Sequence, residues 1–249
     1  MKRRIPAFSL LEMALVLSII GIISAYAIPA WLHARATARR VETDAKLESV
    51  IYALAGYVQM HKRLPNPADP IATGEEAGLE RSDLTTGILP YRTLAVQESD
   101  VKDGFRHWIS YSASHILTAK PGTSRPTGVG AGAGVSRALP SATCDECNPI
   151  CRIRPYGARL DVCDAQGQSL LSQVHIEDFI AFVLVSHGPS GAGSFDDLGQ
   201  RKQAIGDKLK NFGATSFIDR PITKEYDDRV RWVSRNNLMA MYAKQPCKP

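Results

Sequence analysis

The stretch from Phe8 to Leu32 reads FSLLEMALVLSIIGIISAYAIPAWL, twenty-five residues with a single formal charge, at Glu12. As an α-helix, a segment of this length extends about 37 Å at about 1.5 Å per residue, which exceeds the roughly 30 Å hydrocarbon core of a bilayer. A short basic leader, MKRRIPA (Met1–Ala7), directly precedes it. The segment therefore predicts one membrane-spanning helix.

Glu12 is the residue that distinguishes this segment from a plain membrane anchor. Even on lenient insertion scales, hydrocarbon penalises an ionised carboxylate by roughly 2.5–3.5 kcal/mol. A carboxylate placed four residues after Phe8 therefore requires a cationic partner. Cleavage of the chain between Ala7 and Phe8 would supply one, because it creates a free α-amino group.

The hexapeptide AFSLLE (residues 7–12) and the apolar run after it resemble the start of type IV pilins and type II secretion pseudopilins. In that family, a dedicated prepilin peptidase removes the leader and methylates the new amine. The Glu five residues into the mature chain neutralises the amine of a neighbouring subunit during filament assembly. The resemblance covers about a tenth of the chain.

The resemblance implies a role for five positions. Cleavage falls between Ala7 and Phe8, methylation on Phe8 and docking on Glu12, and the helix is loosened at Gly21 and Pro29. Ala7 departs from the family pattern, which nearly always has Gly there. The implied partners are other pilin or pseudopilin subunits, the prepilin peptidase, an inner-membrane assembly platform, and membrane lipid before assembly.

Two other interpretations of the segment stay open. A secretory signal peptide has a basic start, an apolar core and an A-x-A cleavage site, which Ala25-Tyr26-Ala27 would provide. Against it, Glu12 interrupts the apolar core, and the helical pattern continues past the supposed cut. The second alternative is an uncleaved anchor with a stray acid, which would tether a periplasmic binding protein or enzyme.

The basic residues are concentrated in the leader. The formal net charge is +5, and removal of the three basic leader residues leaves +2 on the mature chain. This balance argues against a nucleic-acid partner. Arg35, Arg39 and Arg40 flank the other end of the apolar segment. The leader and the cysteines downstream nevertheless favour a single-pass inner-membrane protein with a cytoplasmic N-terminus and a periplasmic C-terminal domain.

All five cysteines lie beyond the membrane segment: Cys144, Cys147, Cys151, Cys163 and Cys247. The spacing of the first three could seed a zinc site, but in a periplasmic compartment disulfides are favoured, so no metal or other cofactor is predicted. Cys151 and Cys163 flank the turn Pro155–Gly157 almost symmetrically, and we expect them to be bonded. The odd count leaves one thiol free or shared with another subunit.

Beyond the membrane segment, the helical pattern continues, and one helix is predicted over residues 8–62. Pro29 should bend or loosen it, and the prolines of Leu64-Pro65-Asn66-Pro67 should end it. The second half carries an apolar stripe at helical spacing that the rest of the chain must cover. The stripe consists of Val41, Leu47, Val50, Ile51, Leu54 and Val58.

Several segments after the helix have the pattern of strands. Phe105–Ala113 and Arg229–Ser234 alternate in polarity, and Phe179–Ser186 (FIAFVLVS) predicts a buried central strand. Residues 152–154 and 159–162 can pair as a hairpin. His107 within the first strand is expected to have a hydrogen-bonded ring.

The remaining elements are a weakly helical segment and a terminal helix. Asp196–Phe212 is weakly helical, and Asn236–Lys244 predicts a C-terminal helix with Ser234 as its N-cap. The fold class is therefore α+β, with a long N-terminal transmembrane helix that continues into a pilin-like globular domain whose antiparallel sheet packs on the helix. Residues 1–7 form the leader and 63–249 the globular domain, with residues 119–140 as a flexible, Gly- and Pro-rich insertion.

Other candidate chemistry is weak, and no catalytic residue is predicted. Ser186-His187-Gly188 follows a buried strand, as a hydrolase serine does, but it lacks the G-x-S-x-G elbow, and a turn explains it better. Asp196-Asp197 and Glu225–Asp228 could offer oxygens to calcium, yet no spacing matches a calcium loop, and solvated turns are favoured. The basic residues between Arg220 and Lys248 alternate with acids, which is typical of a solvated face.

Together these features predict a structural filament subunit and not an enzyme. The mature chain of 242 residues is large beside a typical major pilin, which favours a minor subunit. The pattern does not distinguish a pilus from a secretion pseudopilus or a DNA-uptake fibre.

Overall fold

The computed structural model describes residues 10–118, 160–166, 168–170, 179–212 and 216–242. The chain divides into two compact units, Met1–Val41 and Glu42–Pro249. The first unit contains the apolar part of a long helix, α1 (Leu10–His61), and the second contains the rest of α1 together with the strands. The described residues therefore have an α+β fold in which a long apolar N-terminal helix precedes an antiparallel sheet domain.

Helix α1 confirms the predicted helix over its described part. Pro29 lies inside it, and the helix ends where the sequence predicts, just before Leu64-Pro65. Lys62 closes the last turn, because its backbone N–H donates to the Val58 carbonyl at 2.8 Å while its own φ is +59°. A left-handed residue at this position is a common helix termination.

The second half of α1 buries one stripe of side chains, as predicted, with a different first member. Val41 is 62 % exposed, and Thr43 is buried in its place. Two residues along a helix correspond to a rotation of about 200°, so Val41 lies on the side opposite Thr43. The buried set is Thr43, Leu47, Val50, Ile51, Leu54, Ala55, Tyr57 and Val58.

Four strands of the second unit form an antiparallel sheet in the order β1-β2-β4-β6. Two of the predicted strands are confirmed: β4 occupies a central position with all of its residues buried, and β6 pairs along it. The strands are β1 (Thr86–Ile88), β2 (Ser110–Ala113), β4 (Ile180–Ser186) and β6 (Arg229–Ser234).

The strand predicted over Phe105–Ala113 is wrong in its first half. Only β2, Ser110–Ala113, is a strand, and the preceding residues form a tight turn in which Arg106 has a φ of +71°. The Asp103 carboxylate explains the difference, because its Oδ1 accepts the backbone N–H groups of Phe105 and His107, both at 2.9 Å. A side chain that takes these amides removes them from a strand ladder.

The sheet is covered on both faces. On one face, Tyr111, Phe182 and Leu184 belong to the core built on the α1 stripe. On the other face, Val183 and Val185 pack with residues of a two-stranded parallel pair, β3 (Asp161–Cys163) and β5 (Ser216–Ile218).

A bulge in β4 adjusts which of its side chains reach the helix. The register with β6 shifts between Ile180 and Phe182, so that Ala181 and Phe182 both face the α1 core. A bulge inserts one extra residue and thereby interrupts the strict alternation of a strand.

The predicted hairpin and the predicted helical segment after β4 are only partly borne out by the described residues. Residues 161–163 pair in parallel with β5, whereas residues 152–154 and the predicted insertion 119–140 lie outside the described residues. Within Asp196–Phe212, only Gly206–Phe212 is helical, as a 3₁₀ helix. Two short helices, α2 (His115–Thr118) and the 3₁₀ helix Glu98–Val101, were not predicted.

The C-terminal helix is confirmed as α3 (Arg235–Tyr242). The hydroxyl of Ser234 accepts the backbone N–H of Asn237 at 3.2 Å, which confirms Ser234 as its N-cap.

Leu54→Ala should lower the free energy of unfolding of the second unit by about 2–5 kcal/mol, because it leaves a cavity in the core beneath the sheet. Leu54 is fully buried. The matched control is Met60→Ala on the same helix, where the side chain is 73 % exposed and the expected change is within about 0.5 kcal/mol. Denaturant unfolding of the full chain in detergent measures both, and equal losses would contradict the assigned helix face.

Candidate functional sites in the helix and the buried polar clusters

The first unit presents an apolar helical surface. Helix α1 is long and apolar enough to cross a membrane, and none of its most apolar part is buried inside the protein. The exposed side chains include Leu10, Leu11, Leu15, Leu17, Ile19, Ile20, Ile22, Ile23, Ile28 and Leu32. A contiguous exposed apolar surface of this kind marks a membrane or partner-binding segment.

Two hydroxyl groups of the first unit are satisfied by carbonyl groups of the helix itself. The hydroxyl of Ser18 donates to the Ala14 carbonyl at 2.8 Å, and that of Thr37 donates to the His33 carbonyl at 3.0 Å. At its end, the Arg35 guanidinium lies 5.4 Å from the centroid of the Trp31 ring. An aromatic ring with a cation is the usual composition of a membrane–water interface.

The sequence-predicted assembly residues are spread along this helix. Glu12 is exposed in its first turn. Gly21 has open space around the position of a Cβ, and Pro29 has no N–H to donate to the Ala25 carbonyl. Ala7 and Phe8 lie outside the described residues, so cleavage and methylation stay predictions.

In the second unit, the residues around His187 form a buried array that we call the His187 cluster: Ser110, His187 and Asp228. The Nε2 atom of His187 lies 2.8 Å from the Ser110 hydroxyl, and its Nδ1 atom lies 3.8 Å from Asp228 Oδ2. All three residues are buried. The order serine, histidine, aspartate is that of a hydrolase triad, although the serine is Ser110 and not Ser186.

The geometry of the His187 cluster and the pKa of its histidine differ from those of a hydrolase triad. Burial, followed by the charges of Arg201, Lys208 and His107, lowers the pKa of His187 to about 3. A base with such a pKa is a weak proton acceptor near neutral pH, and 3.8 Å is too long for the orienting hydrogen bond of a triad. Within the described residues, the well-formed hydrogen bond of the ring is that of Nε2 with Ser110.

Ser186 and His107 also have structural partners. The Ser186 hydroxyl donates to Asp103 Oδ2 at 2.7 Å, and His107 Nδ1 donates to the Gly188 carbonyl at 2.9 Å. The expectation that the His107 ring is hydrogen-bonded is confirmed, although His107 lies in a turn and not in a strand. The Asp103 carboxylate thus ties the turn before β2 to the end of β4.

The carboxylates of Glu225–Asp228 do not all lie in solvated turns, and that prediction is wrong for two of them. Asp228 is 2 % exposed, and its Oδ2 accepts the Asn211 side-chain amide at 3.0 Å. Burial raises the pKa of Asp228. Asp227 accepts the ammonium group of Lys208, which is itself buried. We call Ser190, Lys208, Asn211, Asp227 and Asp228 the Lys208 cluster.

Asp196 behaves as a turn residue, as predicted. Its Oδ1 accepts the backbone N–H groups of Leu198 and Gln200, at 3.0 and 2.8 Å. Within the described ranges, no three His, Cys, Asp or Glu side chains are grouped closely enough to hold a metal ion.

The cysteine predictions rest almost entirely on residues outside the described ones. Of the five, only Cys163 is described, and its sulfur atom lies 3.5 Å from Asp161 Oδ2. Burial raises the pKa of this thiol, followed by the charge of Asp161. Cys144, Cys147, Cys151 and Cys247 are not described, so the Cys151–Cys163 bond stays a prediction.

Three of the basic C-terminal residues are paired with acids. Arg229 donates to both oxygens of Asp44 at 2.6 Å, and Arg231 lies 3.5 Å from the same carboxylate. Arg220 donates to Asp207. The ion pairs of Asp44 join helix α1 to strand β6, so these cations also hold the sheet on the helix.

Sequence reasoning missed both buried clusters. Lys208 lies in the mixed-charge segment GDKLKNF, and its partner Asp227 is 19 residues away. Two features of the sequence could have indicated the Lys208 cluster. Asp227 and Asp228 are adjacent acids directly before a predicted strand, and Lys208 lies in a segment that also carries apolar residues.

Comparisons with protein-family models, with curated proteins and with solved structures found no match to this chain.

His187→Gln should change how stability depends on pH. The pKa of His187 is about 3 when folded and about 6.5 when unfolded, so between these values the unfolded chain binds a proton that the folded chain does not. Wild-type stability should therefore fall relative to the variant by on the order of 3 kcal/mol from about pH 7 to about pH 4. The raised pKa of Asp228 acts in the opposite direction in both proteins.

Denaturant unfolding at a series of pH values measures this difference directly. Parallel pH profiles for wild type and His187→Gln would contradict a neutral, buried His187. Ser110→Ala, which keeps the imidazole, is the control and should retain the wild-type pH dependence.

Proposed function

We propose that this protein is a structural subunit, of the minor class, in a type IV pilus-like or type II secretion pseudopilus filament. The observation that carries the proposal is the unburied apolar half of α1, with Glu12 in its first turn, on a helix whose second half packs beneath an antiparallel sheet. The subunit is stored in the inner membrane, with its C-terminal domain in the periplasm.

Storage of the subunit in the membrane follows from the exposed apolar side chains of the first unit. In a bilayer these side chains are covered by lipid, and the backbone groups bond to one another within the helix, apart from the N–H groups of the first turn and the carbonyl opposite Pro29. In a filament, the same surface is covered by helices of neighbouring subunits. Because lipid is as apolar as the helices, close packing and specific polar pairs must favour the filament.

Glu12 is the polar group that distinguishes the two environments. In the bilayer, its ionised carboxylate is a cost. In the filament core, a neighbouring subunit's α-amino group would pair with it, and the low dielectric constant strengthens that attraction. Cleavage between Ala7 and Phe8 by the prepilin peptidase creates the required amine, so processing and assembly depend on each other.

The interface residues support a single membrane crossing. Trp31 and Arg35 lie in contact near the end of the apolar segment, where the chain would leave the hydrocarbon. Beyond that point, α1 carries charged side chains, and Glu42 and Lys46 are paired at 2.9 Å.

The mature protein should begin with N-methylated Phe8, because the leader, Ala7 and Glu12 together form the prepilin processing pattern. Mass spectrometry of the N-terminal peptide measures this. A chain that begins at Ile28 would show a secretory signal peptide, and one that retains Met1 would show a tethered binding protein or enzyme. In cells that lack the prepilin peptidase, the leader should remain attached.

Glu12→Ala should leave membrane insertion intact and reduce entry into filaments at least tenfold. In the bilayer, the change removes a cost, whereas in the filament it leaves a neighbour's amine unpaired, and breaking a buried pair costs about 3–5 kcal/mol. Membrane fractionation and sheared-filament preparations compare the two pools.

Glu48→Ala is the matched control, since Glu48 is an exposed acid on the same helix outside the apolar segment. It should enter filaments as wild type does. Equal incorporation of Glu12→Ala and Glu48→Ala would remove the mechanistic basis of the proposal.

A further inference from the structure

Lys208 is placed unusually for a lysine, because its side chain is only 5 % exposed and its ammonium nitrogen is surrounded by oxygen atoms. The Nζ atom donates to Asp227 Oδ1 and, at 2.6 Å, to the Ser190 hydroxyl, and it lies 3.5 Å from Asp228 Oδ1. Lysine is almost never fully buried unless it is paired, because its ammonium group is strongly hydrated in water.

The Asp227 carboxylate is held rigidly against this nitrogen. Its Oδ2 accepts the backbone N–H of Ser190 at 2.9 Å, and its Oδ1 accepts the Ser190 hydroxyl at 3.0 Å. Gly188 makes the close approach possible, since its φ is +58° and a Cβ at this position would clash with the Asp227 carbonyl. The backbone N–H on Oδ2 is placed where a donor could stabilise an oxyanion that develops on that atom.

Asp228 adds a second acid to the site. Its Oδ2 is bonded to Asn211, whereas its Oδ1 faces Lys208 and has no well-formed hydrogen bond within the described part of the chain. Burial raises the pKa of Asp228, so this group holds a proton more readily than an exposed carboxyl does. A buried acid beside an amine and a second carboxyl group can relay protons between them.

We propose that Lys208 and Asp227 form an intramolecular isopeptide bond, with Asp228 as the catalytic acid and base. Nothing in this proposal depends on the filament function. The site contains the nucleophile, the electrophile, one oxyanion donor and the proton relay, all within the described part of the second unit.

The reaction is a condensation that needs no co-reactant. Transfer of one proton from the ammonium group to the Asp227 carboxylate, to which it already donates, gives a neutral amine and a neutral acid. The Nζ lone pair then attacks Cγ of Asp227, and the oxyanion forms on Oδ2, which accepts the backbone N–H of Ser190. Asp228 relays one of the two protons then carried by Nζ to the departing Oδ1 hydroxyl, and the oxyanion collapses to the amide carbonyl, so one amide and one water are produced.

The proximity of the two groups lowers the activation barrier of the reaction. The amine and the carboxyl group are already in contact, and such positioning replaces a bimolecular encounter by an intramolecular step. The product would join the 3₁₀ helix Gly206–Phe212 to the segment that enters edge strand β6. Like a disulfide, it would restrict the unfolded chain, but reducing agents would not break it.

The test is the mass of the full chain, purified in detergent and fully reduced. Wild type should be lighter, by one water molecule, than its sequence requires, whereas Lys208→Arg, Asp227→Ala and Asp228→Asn should have their full sequence masses. Lys208→Arg keeps the positive charge and is the control for loss of the ion pair. Comparing masses among these proteins cancels any shared N-terminal processing.

Trypsin digestion locates the bond. Residues 203–210 (QAIGDKLK) should appear joined to residues 225–229 (EYDDR) as one branched peptide. A wild-type chain with its full sequence mass would overturn the proposal, and so would a water loss confined to residues 225–229, which indicates a succinimide. Because the wild-type mass decides the question alone, a variant that fails to fold does not obscure the result.

Discussion

Strand β4 is buried on both faces, and most of the second unit is arranged around this constraint. An apolar strand that exposes neither face to solvent must be covered by other elements of the fold on both faces. The α1 stripe covers the side that carries Phe182 and Leu184, and the β3–β5 pair covers the side that carries Val183 and Val185. The layers of the domain follow from that single run of apolar residues.

The polar clusters are a consequence of the same burial. Where β4 ends, the chain turns inside the protein, so Ser186 and His187 lose contact with water. Their partners, Asp103 and Ser110, come from the turn before β2 and from β2 itself. An unpaired polar group in such a place costs about 1–3 kcal/mol, so the turn geometry and the cluster have to form together.

Helix α1 meets two different demands along its length. Its second half contributes a stripe to a protein core, and the ion pairs of Asp44 with Arg229 strengthen that attachment. Its first half has exposed apolar side chains around its whole circumference, and contact of such a surface with water is unfavourable. A single helix can carry both because its backbone hydrogen bonds are internal and do not depend on what surrounds it.

Local signals determined much of this architecture from the sequence alone. The extent of α1, the central position of β4, strand β6 and the Ser234 cap all follow from periodicity, proline and capping within a few residues of chain. The Glu12 position and the apolar segment were equally visible, because a charge in such a run needs no structure to be noticed.

Only the tertiary structure decided the pairings between distant residues. Val41 was predicted to belong to the buried stripe, but its side chain is exposed. The spacing of apolar residues alone does not determine which of their side chains the sheet covers. The Asp103 carboxylate that shapes the turn at Arg106 also accepts the hydroxyl of Ser186, 83 residues away. The ion pair of Lys208 with Asp227 depends on the 3₁₀ helix lying against the chain that enters β6. Side-chain pairs of this kind are set by the order of strands in the sheet, and that order is a property of the whole core and not of any local segment.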